Sequence, residues 1–182
     1  MVRRLQSGDE RAFRDLVSQE GDRIYNLCFR MLRNQAEAEE ITQEVFIVVF
    51  KKIGVFRGDS KLSTWIYRIT VNHCKNRLEF LARRGAGKSV EYTEARLAKK
   101  SAEETAGPGA ALELAELSQE LEHALAELDE EKRMLIILRD MEELSYEEIS
   151  QIMDIPKGTV KSRIHRARKS LRECLEKSGR LR

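Results

Sequence analysis

The stretch that most narrows what this chain can fold into runs from Leu144 to Lys169, LSYEEISQIMDIPKGTVKSRIHRARK. Ser145-Tyr146-Glu147-Glu148 is an S-x-x-E capping box, in which two free backbone amides are satisfied reciprocally, so a helix starts here. Ile149 and Ile152 give that helix an inward face. Asp154-Ile155-Pro156 ends it, and proline suits the first position of the next helix, where a missing N–H costs nothing. Val160, Ile164, Ala167 and Leu171 then recur at i, i+4, i+7 and i+11, the stripe of a helix buried along one side. Lys161, Ser162, His165, Arg166 and Lys169 fall on its other faces. A short helix, a tight turn and a second helix showing cations and hydrogen-bonding side chains is the geometry that enters a DNA major groove. The plainer alternative is an amphipathic surface helix with solvated Lys and Arg. The capping box, the proline turn and the long apolar stripe together favour the helix-turn-helix.

Composition sets the class around this segment. The 182 residues are 35% charged and 41% hydrophobic, with 2 Pro and 10 Gly. Few β-branched runs occur, which argues for one or two small helical domains over a β fold. No run of eighteen apolar residues exists, so no transmembrane helix is expected. The start, Met-Val-Arg-Arg-Leu-Gln-Ser-Gly, lacks the apolar stretch of a signal peptide, and a cytoplasmic protein is expected. Cys28, Cys74 and Cys174 lie far apart in sequence with no C-x-x-C. They read as buried or half-buried thiols, with no zinc, no other cofactor and no disulfide expected.

The net charge of +2 hides an uneven distribution. Residues 1–56 balance at 9 basic and 9 acidic groups, and residues 57–90 carry 8 and 2. Residues 91–155 carry 6 and 18, and residues 156–182 carry 10 and 2. Two basic blocks separated by an acidic one suggest two separate contacts with a polyanion, a layout no single enzyme active site needs.

Helical periodicity fills most of the chain. Asp9 to Arg33 reads as one long helix, with Phe13, Leu16, Val17, Ile24, Leu27, Cys28 and Met31 inward and Asn34 able to end it. A second helix runs roughly from Ala36 to Ile53, and Gly54 and Gly58 bracket a loop. A third spans about Leu62 to Arg83. Residues 85–110 are small and polar, which is linker composition. Periodicity resumes at Ala111 through Leu114, Leu117, Leu121, Leu125 and Leu128, and another helix from about Glu130 to Met141 carries Met134, Ile137 and Leu138. The expected architecture is all-α: two small helical domains, 1–85 and 113–182, joined by a flexible linker, 86–112, with the helix-turn-helix in the second.

Four features converge on a family. Glu37-Ala-Glu-Glu-Ile-Thr-Gln-Glu44 opens the second helix. Phe56-Arg-Gly-Asp-Ser-Lys-Leu-Ser-Thr-Trp-Ile-Tyr-Arg-Ile-Thr-Val-Asn72 runs through the loop into the third, a polar linker follows, and the helix-turn-helix closes the chain. Together they resemble the extracytoplasmic-function (ECF) sigma factors of bacterial RNA polymerase. The resemblance implies two domains: region 2, which holds core polymerase and reads the promoter −10 element as melted single strand, and region 4, which reads the −35 element as duplex. It implies an initiation factor with no catalytic residues. Its implied partners are core RNA polymerase, promoter DNA and an anti-sigma factor, with no small-molecule substrate.

The resemblance also distributes roles over residues. Glu37, Glu40 and Glu44, at i, i+3 and i+7 with Gln43 at the edge, would form an acidic stripe for the basic coiled-coil helices of the polymerase clamp, with Glu40 and Glu44 facing solvent. Trp65, Arg68, Asn72 and Lys75 or Asn76 share a face of the third helix. An aromatic can stack on an unpaired base there, an amide can bond a base edge, and cations follow phosphates. The loop Phe56, Arg57, Gly58, Asp59 and Ser60 would complete that pocket for the −10 element. Lys161, Ser162 and Arg166 match positions facing the −35 groove, with Thr159 and His165 beside them. Lys157, Arg168, Lys169 and Arg172 would meet phosphates. A stand-alone helix-turn-helix regulator that binds duplex DNA, with residues 1–85 as a sensor, is the alternative. An enzyme is disfavoured because no Ser/His/Asp set, metal cluster or glycine-rich phosphate loop appears.

Overall fold

A computed structural model describes residues 1–85 and 108–177, with side chains placed for all of these except 108–116. Every regular element among them is helical. The chain divides into two compact units, one built on the N-terminal helices and the other on most of the chain from residue 108 onward. The expected linker 86–112 falls largely outside the described residues. Its last five are already helix, because α5 runs Pro108–Glu127 and so starts earlier than the periodicity suggested.

The first unit holds α1 (Val2–Gln6), α2 (Glu10–Leu32), α3 (Gln35–Lys52) and α4 (Leu62–Arg83). Asp9 caps α2, its carboxylate accepting from the amides of Arg11 and Ala12. Asn34 does not end α2, as the sequence suggested. Arg33 takes that place in the left-handed region at φ 55°, and Asn34 caps α3 by accepting from the Glu37 amide at 3.0 Å. The two helices thus meet at a two-residue corner, and their apolar faces close on α4. Leu16, Ile24, Leu27, Cys28 and Met31 meet Ala38, Ile41, Val45 and Val49 of α3 and Ile66, Tyr67, Val71 and Cys74 of α4, all buried. Cys28 and Cys74, 46 positions apart in sequence, hydrogen-bond each other in this core. That bond, and burial after it, hold the Cys74 thiol well above its ordinary value.

The five-residue α1 was not visible in the sequence. It docks where α3 ends: a one-turn 3-10 helix, Ile53–Val55, follows α3. The Gln6 amide donates to the carbonyls of Phe56 (2.9 Å) and Ile53 (3.3 Å). This clamps the start of the loop into α4. Gly58 sits at φ +82° within that loop, a conformation that strains any side chain bearing a Cβ.

The second unit is centred on α6, Glu130–Ile136, which continues as a π-helical turn through Met141. Met134, Leu135, Ile136, Ile137 and Leu138 are all buried. A helix apolar all round is a central helix, and the sequence reading had only three of these five inward. Arg133 caps the C-terminus of α5: its guanidinium donates to the carbonyls of Leu125 (3.0 Å), Ala126 (3.3 Å) and Leu128 (2.9 Å). A cation there also suits the negative end of the helix dipole. Leu125, Leu128, Ile136 and Ala167 form one cluster, with Leu121, Met141, Leu171 and Cys174 packed on it.

Candidate nucleic-acid and docking interfaces

The helix-turn-helix forms as the capping box requires. Glu148 accepts from the Ser145 amide at 2.9 Å while its own amide donates to the Ser145 hydroxyl at 3.2 Å. Helix α7, Tyr146–Met153, then ends with Asp154 in the left-handed region at φ 55°. The Ile155 amide donates back to the Ser150 carbonyl at 3.2 Å, a Schellman closure made without glycine. Pro156 stands one position earlier than expected. Its carbonyl accepts the first bond of the next helix, from the Val160 amide at 3.0 Å, and α8 runs Lys157–Lys177. Val160, Ile164 and Ala167 are buried, and Leu171 is half-buried.

The opposite side of α8 exposes Lys161, Ser162, His165, Arg166 and Lys169, with Thr159 half-buried at its N-terminal end. The Ser162 hydroxyl donates to the Thr159 carbonyl at 3.0 Å, so its oxygen stays available as an acceptor. Three expected phosphate contacts have acidic partners, Lys169 the loosest of them, 3.9 Å from Glu173. Lys157 pairs with Glu147 of α7. Arg168 makes a two-point ion pair with Asp140 in the π turn, one arm at 3.1 Å, and that bond raises its pKa above the ordinary guanidinium value. Lys161, Arg166 and Arg172 have no acidic partner among the described residues.

In the first unit the loop and α4 form a second polar face. Arg57, Gly58, Asp59, Arg68, Asn72 and Asn76 are exposed, while Ser60, Trp65 and Lys75 are half-buried. Phe56 departs from expectation. It is 9% exposed and packs against Trp65 with ring centroids 5.3 Å apart. Phe56 therefore seats the indole and presents little of itself to a ligand.

The acidic stripe on α3 also departs from expectation. Arg77 of α4, missed in the sequence, ion-pairs with Glu37 at 2.9 Å, Glu40 at 3.1 Å and Glu44 at 3.6 Å. His73 adds a contact to Glu44 at 3.3 Å. Only Glu40 and Gln43 of the four proposed docking residues are exposed; Glu37 and Glu44 are half-buried. Glu44 is thus not simply solvent-facing. The exposed seam of α3 is instead Ala36, Glu40, Gln43, Ile47 and Phe50, spaced 4, 3, 4, 3. Ile47 is 52% and Phe50 53% exposed. Such alternation is the pattern of a surface that packs along another helix.

Residues 16–84 match the family Sigma-70 region 2, and residues 118–171 match Sigma-70, region 4. The RNA polymerase sigma-H factor of Pseudomonas aeruginosa is 38% identical over 97% of this chain and 92% of its own length. The chain belongs to the sigma-70 family. Its relatives place it in the ECF group. The ECF RNA polymerase sigma factor SigW of Bacillus subtilis is 37% identical over 96% of the chain and 94% of that protein. The ECF RNA polymerase sigma-E factor of Escherichia coli K12 is 38% identical over 94% and 90%. The fold matches that of CnrH, solved with the cytosolic domain of CnrY, at TM-score 0.69 and 22% identity over 96% of this chain and 94% of that one. It matches RpoE of Bartonella quintana at 0.69 and 23% over 91% and 97%. The sigma factor is an initiation factor and not an enzyme, and the stand-alone regulator reading gives way to it. Among the described residues no helix is long and apolar enough to cross a membrane.

Proposed function

We propose that this ECF sigma factor docks on core RNA polymerase through the exposed seam of α3 and places α4 against the opened −10 strand. The observation that carries the reading is the 4-3-4-3 seam beside an acidic cluster: apolar Ile47 and Phe50 next to Glu40 and Gln43 suit a basic helix laid alongside. Arg77 and His73 hold the glutamates from behind, so the negative charge is presented in a fixed position.

On α4, Arg68, Asn72, Lys75 and Asn76, with Trp65 and the loop Arg57–Ser60, supply stacking, amide and cationic contacts to unpaired bases and their phosphates. On α8, Lys161, Ser162 and Arg166 read base edges of the −35 duplex. Thr159 and His165 flank them, and Lys157 and Lys169 meet phosphates, Lys157 after exchanging its partner Glu147. The domain limits 1–85 and 113–182 follow this division of labour. The factor acts in the cytoplasm, where polymerase and template are. Both reading faces are exposed polar helices, so the free protein calls for an inhibitor that covers one or both, an anti-sigma factor.

Photo-crosslinking tests this reading. A benzophenone side chain at Gln43 or Ile47 should couple to the largest polymerase subunits, and one at Asn72 to the −10 strand of an opened promoter. Crosslinks from Asn72 to polymerase and from Ile47 to DNA would reverse the assignment.

A further inference from the structure

We propose that α4 carries a second nucleobase-stacking site at its C-terminal end, formed by Phe80 and Arg84, which takes a further unpaired base of the opened −10 strand. This rests on the reading of α4 as the single-strand face. Arg68, Asn72, Asn76, Phe80 and Arg84 follow one another at intervals of four, so they form one continuous ridge along the helix, with Trp65 one turn before its start. All five are exposed, and Trp65 is half-buried.

Phe80 is 41% exposed, although a large aromatic gains by burial. The Arg84 guanidinium lies 4.6 Å from its ring centroid, which steadies the ring and brings a cation beside it. Aromatic rings and guanidinium planes are the groups on which unpaired bases stack, with little regard to base identity. The surroundings suit a polyanion: leaving aside Arg77, which the glutamates of α3 engage, α4 and the residue after it carry Arg68, Lys75, Arg83 and Arg84 against a single acid, Glu79. Trp65 and Phe80 stand fifteen residues apart, about 22 Å along the axis at 1.5 Å per residue. That length accommodates several nucleotides of an unstacked strand, with the amides of Asn72 and Asn76 between the two aromatic ends.

The experiment uses holoenzyme on a promoter fragment whose −10 region is held open by mismatches. 2-Aminopurine replaces successive bases of the non-template strand, since its fluorescence is quenched on an aromatic ring. Phe80→Ala should relieve the quench at one position beyond that affected by Asn72→Ala, and should weaken binding about tenfold. Phe80→Tyr should restore both. If Phe80→Ala leaves every position and the affinity unchanged while Asn72→Ala keeps its defect, the second site does not exist and the first reading stands. If neither variant acts, the reading of α4 itself fails. If Phe80→Ala weakens binding to core polymerase in the absence of DNA, the ring is a protein contact and the inference is overturned.

Discussion

Arg77 on α4 approaches Glu40 on α3 to 3.1 Å, and so ties the helix proposed to dock on polymerase to the helix proposed to read DNA. The side chain of Arg77 is only 17% exposed and that of Glu37, its closest partner, 21%. A half-buried acid stripped of its cation keeps its desolvation cost and loses its compensation. Arg77→Met should therefore destabilise the first unit by about 1–3 kcal/mol, near the figure for orphaning a charged group. Urea unfolding of this variant against Arg77→Lys checks it: partial rescue by Lys is expected, and no loss in either variant would show the pairs to be solvated ornament.

Docking should respond to the seam and tolerate neutralisation behind it. Glu40→Gln and Ile47→Ala are each expected to weaken binding to core polymerase by about 1 kcal/mol, with little change in unfolding, because both side chains are exposed. Glu37→Gln should do the reverse. Reversal of Glu44 to Lys is a poor test of docking, since it places a second cation against Arg77 and perturbs the fold. Equilibrium binding and melting measured on the same samples separate the two effects.

The helix-turn-helix depends on its cap. Ser145→Ala removes the hydroxyl that the Glu148 amide and carboxylate both use, and should cost about 1 kcal/mol. The loss should appear in thermal unfolding of the second unit and as weaker −35 binding. Ser145→Asp should retain most of the stability, and an unchanged melt for Ser145→Ala would mean the box is not formed in solution.

On α8 the cations should divide by their partners. Arg166→Ala is expected to cost about 1–3 kcal/mol and to relax selectivity at the −35 element. Arg168→Ala should alter the salt dependence of DNA binding little, because Asp140 already occupies that guanidinium, and should show mainly as lost stability. A salt-titrated binding series distinguishes them, and equal slopes lost by both variants would contradict the pairing.

Much of the fold was legible because it is local. The limits expected for α4 are those found, since its apolar period is unbroken and the glycine-bearing loop sets its start. The capping box is enough by itself to locate the start of α7. Contacts that depend on a second element were not legible. Five residues are too few to show a period, so α1 was invisible, as was the clamp from Gln6 onto Phe56. The cap that Arg133 makes was not legible either, because it depends on the end of α5 lying beside it. Arg77 left one usable signal: it lies three residues beyond buried Cys74, on the flank of the apolar stripe, where a cation requires a partner. The burial of Phe56 against Trp65 was not legible, because an aromatic in a reading loop looks the same in sequence whether it meets the ligand or supports the residue that does.

The measurement that tests the account most directly is initiation by purified components on closed and pre-opened promoters. Core polymerase with this chain should start transcription at a restricted promoter set, and core polymerase alone should not. Asn72→Ala should reduce that initiation on closed duplex, and the defect should shrink on a template whose −10 region is already mismatched, because part of the role of Asn72 is to favour the opened state. Tight, specific duplex binding by the chain without polymerase, with no initiation when core enzyme is added, would contradict the account. So would a sharp fall in the melting temperature of Asn72→Ala with no promoter-specific defect.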